Sequence, residues 1–194
     1  MDLTRSLVEA KAREYRETEM LADTEQEHFE ILPGMFADGD FGRRDAEWVV
    51  QWYFRRYLGA YPDADRRAVE SAFEGNDFGN VLEAVAAARA ADTDAERVRR
   101  LTALGGVDVR VASAFLQFIF PEAYVVVGDR EWAVLHAAGE LAAPYPDPPE
   151  LDDYLPYLET CRSVADRLDC DLPTLYRALW RLWEAVDGAE DRTG

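Results

Sequence analysis

The chain has 194 residues, 48% of them hydrophobic and 12% aromatic, so it can bury a core as one domain or two small ones. This composition excludes a disordered acidic protein, although 39 Asp and Glu against 21 Lys and Arg leave a net charge of −18. Such a surface repels nucleic acid and anionic membranes in dilute salt, whereas at ~1 M salt the screening length falls to about 3 Å.

The basic residues are almost all arginines, since Lys11 is the single lysine. Abundant Asp and Glu with scarce lysine are typical of adaptation to a cytoplasm with molar salt. We therefore expect a halophilic protein whose charge leaves DNA open as a salt-dependent partner. The charged, amphipathic N-terminus is unlike a secretory signal, and no apolar run approaches the roughly 20 residues of a membrane span. The expected location is the cytoplasm, with no membrane partner.

Hydrophobic residues recur with a helical period along most of the chain. The predicted helices in the first half are 3–22, 44–59, 64–74, 79–91 and 93–104. Pro33-Gly34 is predicted to break the chain between the first two of them. Thr93 and Glu96 have the spacing of a capping box and mark the start of the fifth helix.

The second half is predicted to be helical as well. Residues 109–120 are apolar on every side, which predicts a buried central helix that Pro121 ends. Tyr124–Val127 is predicted to be an extended connector. The remaining predicted helices are 129–142, 151–168 and 172–186. The sequence therefore predicts an all-α fold with nine or ten helices.

The most informative stretch runs from residue 101 to residue 135. A helix ends at Leu104-Gly105-Gly106-Val107, an apolar helix follows within about four residues, and a later connector leads to Gly128-Asp129 at another helix start. Glycines let backbone N–H groups face outward in a tight turn, and a helix N-terminus adds partial positive charge. Together these features can bind a phosphate without a charged side chain.

This stretch resembles the helix-hairpin-helix DNA glycosylase superfamily, in which a hairpin of the form L-P-G-V-G and an apolar helix precede a connector ending in V-D. Leu104–Asp108 matches the hairpin, Ala112-Ser113-Ala114 lies in the apolar helix, and Gly128-Asp129 falls at the position of the catalytic aspartate. The resemblance covers about 93–136. It implies that this core belongs to a single compact all-α domain over 1–194, with two helical lobes around a cleft.

The resemblance also implies a function and a set of site residues. Asp129 is the expected catalytic carboxylate of a monofunctional DNA N-glycosylase, which flips a base out of the duplex before excision. The hairpin backbone at Gly105, Gly106 and Asp108 is expected to take a DNA phosphate. Arg110 is expected to contact the backbone, and Arg130 to lie beside the catalytic carboxylate.

Two departures from the family's pattern narrow this expectation. Arg110 stands in the helix where the bifunctional branch has a lysine, and a guanidinium cannot serve as the amine nucleophile. We therefore do not expect a Schiff-base lyase. Asp108 stands where the hairpin has a glycine, and its carboxylate would repel a phosphate. The favoured interpretation of Asp108 is therefore a helix N-cap. Asp129 also suits a cap position, either as a cap alone or as a cap that is also the catalytic carboxylate.

A second hypothesis from a different class follows from these departures. A catalytically inactive relative could keep the scaffold to bind a small molecule, a nucleotide or a protein partner. No cofactor is expected under either hypothesis, because Cys161 and Cys170 cannot supply the four thiolates of a zinc site or an iron–sulfur cluster. Whether the protein is an enzyme stays open at this point.

Two further patterns have the spacing of a metal site and of a nucleic-acid site, but we expect both to serve structural roles. Glu25-x-x-His28 has the spacing of two metal ligands on one helical face, but no second copy accompanies it, so a solvated face and no metal site is expected. Trp48 and Trp52 lie one turn apart beside Arg55-Arg56, which would suit stacking on nucleic-acid bases. The favoured interpretation is a core-facing aromatic side of the helix.

Overall fold

The computed structural model describes residues 1–190, and over that range it contains ten α-helices and no β-strand. In chain order the helices are α1 (Arg5–Thr18), α2 (Ala22–Asp38), α3 (Arg43–Arg55), α4 (Asp63–Glu74), α5 (Phe78–Ala90), α6 (Asp94–Thr102), α7 (Val109–Ile119), α8 (Asp129–Ala137), α9 (Leu151–Leu168) and α10 (Leu172–Glu190). The predicted all-α class is confirmed. None of the helices in the described range is both long and apolar enough to cross a membrane.

The chain divides into two compact units. Unit 1 comprises Met1–Thr24 and Glu122–Gly194 and holds α1 and α8 to α10, whereas unit 2 comprises Glu25–Pro121 and holds α3 to α7 with most of α2. The predicted core over 93–136 is thus divided, with the hairpin in unit 2 and Asp129 in unit 1. The single domain over 1–194 stays a prediction, and its residues 191–194 lie outside the described range.

Helix α7 forms the centre of unit 2, as its apolar sequence predicts. All nine residues of 111–119 are buried. The Phe118 ring lies 4.8 Å from the rings of Phe29 and Trp52 and 5.2 Å from that of Trp48. The aromatic side of α3 therefore faces the core, which confirms the favoured interpretation of the tryptophan pair.

Helix α2 corrects the predicted break at Pro33-Gly34, because the helix continues through both residues. A proline inside a helix costs roughly 3 kcal/mol. Phe29, Leu32 and Phe36 lie at helical spacing and are all buried, so the apolar contacts of this face outweigh the proline penalty. The prediction was wrong because it took the local signal of Pro-Gly without the tertiary packing.

Unit 1 is held together by α10, which packs against α1 and α8. The buried hydroxyls of Tyr15 and Tyr176 lie 3.3 Å apart, and Arg181 forms ion pairs of 2.8 Å with Glu14 and 2.9 Å with Glu19. Helix α8 ends at Ala137, five residues before its predicted end. Gly139, with a φ of +78°, turns the chain away there.

Leu58 is a strained residue in the loop between α3 and α4, with a φ of +51° and a side chain 58% exposed. Because the left-handed conformation costs a residue with a Cβ about 1–2 kcal/mol, Leu58→Gly is expected to raise the free energy of unfolding by about 0.5–1 kcal/mol. Urea denaturation followed by tryptophan fluorescence measures the change. Ala60→Gly, two residues away at an ordinary φ, is the matched control and should lower stability instead.

The two cysteines are free thiols, with Cys161 buried and Cys170 half-buried. Burial raises the pKa of Cys170 to about 11. At pH 8 this leaves about a hundredfold less thiolate than a thiol with a pKa near 9, partly offset by the greater nucleophilicity of the more basic thiolate. We expect iodoacetamide to label Cys170 about tenfold more slowly in the native than in the urea-unfolded protein. Equal rates in a mass-spectrometric time course would contradict this.

Candidate functional site

The hairpin connects α6 to α7, and Gly106 makes its tight turn possible. Gly106 has a φ of +73°, and a Cβ at this position would lie 2.4 Å from the carbonyl oxygen of Val69 and 2.7 Å from the backbone nitrogen of Phe73. Val69 and Phe73 belong to α4. Only glycine lets the hairpin approach α4 this closely, so the residue serves a packing role.

The other hairpin glycine, Gly105, is hydrogen-bonded to the Asn76 side chain through both its backbone N–H and its backbone carbonyl. The Gly105 N–H donates to Asn76 Oδ1 at 2.9 Å, and Asn76 Nδ2 donates to the Gly105 carbonyl at 2.9 Å. Asn76 Nδ2 also donates to the carbonyl of Phe73 at 2.8 Å. The amide that was expected to face a DNA phosphate is therefore used inside unit 2, where it ties the hairpin to the end of α4.

Asp108 is the N-cap of α7, which confirms the favoured interpretation of this residue. Its Oδ1 accepts from the Val111 N–H at 3.0 Å. Its Oδ2 accepts from Arg110 Nε at 2.8 Å and Nη2 at 2.6 Å. One carboxylate thus meets both the positive end of the helix and the guanidinium, which are the two groups that a phosphate at this hairpin would engage.

Arg110 is held on its other side by Tyr61, whose hydroxyl accepts from Nη1 at 3.1 Å. Burial lowers the pKa of Arg110, but the hydrogen bonds and the charge of Asp108 outweigh it, so the pKa is raised. Burial also raises the pKa of Tyr61 by more than Arg110 lowers it, and the phenol stays neutral. The Arg110 side chain is only 17% exposed. It is a fixed structural cation within unit 2.

The connector that precedes α8 is neither helix nor strand, its residues 124–127 are buried, and α9 supplies hydrogen bonds to its backbone. The hydroxyls of Tyr154 and Tyr157 donate to the carbonyls of Val125 and Val126 at 3.1 and 2.8 Å. Arg162 Nε donates to the carbonyl of Ala123 at 3.0 Å. These bonds fix the backbone that leads to α8 within unit 1.

Asp129 is the first residue of α8 and its side chain is exposed. The predicted cap position of Asp129 is wrong by one residue, because Gly128 occupies the N-cap. The adjacent Arg130 has its guanidinium carbon 4.3 Å from the Trp180 ring centre and 4.1 Å from that of Trp183. These cation–π contacts place Arg130 beside α10. The structure thus brings Asp129 and Arg130 together at one helix start in unit 1. The other predicted residues, Gly105, Gly106, Asp108 and Arg110, come together in unit 2.

Two buried carboxylates were not anticipated from the sequence. Glu131 on α8 and Glu25 on α2 are both fully buried, and Glu25 accepts a hydrogen bond from Trp52 Nε1 at 3.2 Å. The expectation of a solvated Glu25-x-x-His28 face is therefore wrong. The His28 ring instead stacks on Trp48, with 3.5 Å between the ring centres. A carboxylate two or three positions after a helix start, as Glu131 and Glu25 are, gives no local signal of burial.

A groove of about 620 Å³ lies between α5 and α6 beside the hairpin, entirely within unit 2. Its lining combines small apolar, amide and charged side chains: Asn76, Asn80, Glu83, Ala84, Ala87, Glu96, Arg99, Arg100, Ala103 and Leu104. A smaller recess of about 400 Å³ continues along the same two helices towards Asp92. The run of alanines in α5 is a signal of this groove that the sequence analysis did not recognise, because their short side chains leave space against α6.

The charged groups of the groove differ in how they are paired. Arg100 lies 3.6 Å from Glu96 and both side chains are half-exposed, which makes this a weak ion pair. Arg99 is exposed and has no carboxylate within ion-pair distance among the side chains of residues 1–188. The groove therefore offers at least one guanidinium to an external anion.

Comparisons with protein-family models, with curated proteins and with solved structures find no match to this chain. Within the described part of the chain, His, Cys, Asp and Glu side chains nowhere form a group of three or more that could hold a metal ion. The residues and the geometry of the hairpin, the α8 start and the groove are the basis for the function inferred below.

Proposed function

We propose that this protein is a binding module on a scaffold of the helix-hairpin-helix type, and that the groove between α5 and α6 is its ligand site. The observation that carries the proposal is the Asp108 carboxylate at the start of α7, where it accepts from Val111 N–H and Arg110. A hairpin with its cation and helix start already neutralised offers little to a DNA phosphate. The groove volume falls within the roughly 300–1,000 Å³ of small-ligand sites.

The net negative charge of unit 2 also favours a binding role over DNA binding at the hairpin. Unit 2 contains the hairpin and carries 11 arginines, but it also carries 17 acidic residues. Duplex DNA binding draws most of its affinity from cations that meet the phosphates. A hairpin whose arginine is already paired, in a unit with this excess of carboxylates, is therefore poorly suited to DNA in dilute salt.

The proposal is tested by closing the groove. Ala87 lines the groove, whereas Ala86 is exposed on the same helix outside it. We expect fragments from a small-molecule library to shift the amide NMR signals of groove residues in the native protein and in Ala86→Trp. Ala87→Trp, which fills the groove, should abolish these shifts while keeping the native helical circular dichroism. Shifts that persist in Ala87→Trp would contradict the groove as the ligand site.

A second candidate function is base excision by Asp129. The observation in its favour is the connector, whose carbonyls at Val125 and Val126 are fixed by α9 and which leads to an exposed carboxylate. In this function Asp129 would take a proton from water as the water oxygen bonds to the sugar carbon and the base leaves with the bonding electrons. Arg110 cannot form the Schiff base of a lyase, so the expected product is an intact abasic strand.

Base excision is tested on duplexes carrying uracil, alkylated or oxidised bases, in dilute buffer and in molar KCl. Asp129→Asn is compared with Asp152→Asn, a matched change of an exposed aspartate in the first turn of α9. Base release by the native protein and Asp152→Asn, lost in Asp129→Asn, would establish the second candidate and contradict a purely binding role. Absence of release from every duplex would exclude base excision of these lesions.

A further inference from the structure

We infer that the groove between α5 and α6 takes a small molecule with a single phosphate, of the nucleoside monophosphate class, an inference that rests on the binding function proposed above. The two helices run in opposite directions, so one end of the groove lies at Asn80 and Arg99 beside the hairpin. The other end lies at Asp92. Arg99 lines only the part of the groove beside the hairpin, whereas Glu96 and Arg100 also line the recess at Asp92.

Arg99 supplies the phosphate contact. Several exposed arginines of this chain are paired with a carboxylate, as Arg67 is with Asp63 at 2.9 Å. Arg99 has none within ion-pair distance in the described range, and it lines a groove. A guanidinium of this kind binds phosphate through two parallel hydrogen bonds. Arg44, which also lacks a carboxylate partner among the side chains of residues 1–188, lies outside the groove lining and provides a control.

The middle of the groove suits a nucleoside. Ala84 and Ala87 give a flat apolar floor on which the ring of a base can lie. The carboxylates of Glu83 and Glu96 can accept hydrogen bonds from sugar hydroxyls or from an amino group on the base. The same carboxylates repel a chain of phosphates that extends into the groove. The charge pattern therefore favours a monophosphate over a triphosphate.

The inference is tested with AMP, ATP, adenosine and inorganic phosphate as probes, in titrations followed by amide NMR shifts at 0.1 M and 2 M KCl. AMP is expected to shift signals of groove residues, and to bind about tenfold more tightly than adenosine or ATP at 0.1 M KCl. Arg99→Gln should weaken AMP about tenfold, whereas Arg44→Gln should change it less than twofold. Both arginines are exposed, so neither variant should unfold the protein.

The outcomes separate this inference from the binding function. If adenosine binds as tightly as AMP and Arg99→Gln has no effect, the phosphate class is wrong while the groove remains a ligand site. If none of the four probes shifts a groove signal at several times 1 mM, the inference is also overturned. In that case the library screen with Ala87→Trp and Ala86→Trp still decides on the binding function independently.

Discussion

Replacing Gly106 by alanine is expected to lower the free energy of unfolding by about 3 kcal/mol or more. The added Cβ would lie 2.4 Å from the Val69 carbonyl oxygen and 2.7 Å from the Phe73 nitrogen. Both are backbone atoms of α4, so no side chain can rotate to relieve the overlap. The φ of +73° adds the left-handed penalty of about 1 kcal/mol for any residue with a Cβ. The hairpin must move away from α4 to accommodate the methyl group.

Gly39→Ala is the matched control for this prediction. Gly39 has nearly the same φ, +74°, but a Cβ there would meet nothing within 4 Å. This control therefore carries the conformational penalty alone and should cost about 1 kcal/mol. Urea denaturation followed by tryptophan fluorescence measures both changes. Equal losses for Gly106→Ala and Gly39→Ala would show that the hairpin does not pack on α4 as described.

The local features of the hairpin could be predicted from the sequence. The cap of α6 at Thr93, the cap of α7 at Asp108 and the burial of 111–119 depend on residues a few positions apart. The hydrogen-bond partner of Gly105 could not be predicted from the sequence, because Asn76 lies 29 positions earlier in the chain. This non-local hydrogen bond decides whether the Gly105 N–H is open to a ligand or is used within unit 2.

The same limit explains the other corrections. The persistence of α2 through Pro33 and the burial of Glu25 both depend on what packs against α2. A helical period shows that a face is apolar, but not how strongly its contacts outweigh a proline. The groove is a still more distant consequence, because it arises where Ala84 and Ala87 of α5 meet α6. Short side chains in one helix predict close packing or open space equally well.

The hairpin also shows how a single acidic residue changes what a glycine turn before a helix can bind. Glycines before a helix start favour phosphate binding when their amides face solvent. In this chain Asp108 caps α7 through the Val111 N–H, and the same carboxylate neutralises the charge of Arg110. A phosphate would have to displace a carboxylate that is covalently attached to the site.

Asp108→Ala is accordingly expected to lower the free energy of unfolding by about 2–3 kcal/mol. The lost cap accounts for about 1 kcal/mol. The remainder arises because Arg110, only 17% exposed, keeps the Tyr61 hydroxyl but loses its carboxylate. Asp77→Ala is the control, because Asp77 caps α5 through the Gly79 N–H at 2.8 Å and its carboxylate forms no ion pair with an arginine in the described part of the chain. It should cost about 1 kcal/mol.

Asp108→Asn and the double variant Asp108→Ala with Arg110→Gln separate the two contributions. Asparagine is also a good N-cap, so Asp108→Asn should recover the cap and lose only the ion pair. The double variant should be more stable than the sum of the single losses predicts, because no half-buried cation is left without its partner. Inorganic phosphate should raise the melting temperature of Asp108→Ala more than that of the native protein, because the variant additionally opens the α7 start and Arg110 to an external anion. An equal response of both proteins, or a loss no greater than that of Asp77→Ala, would mean that the Asp108 carboxylate does not hold the place of a phosphate.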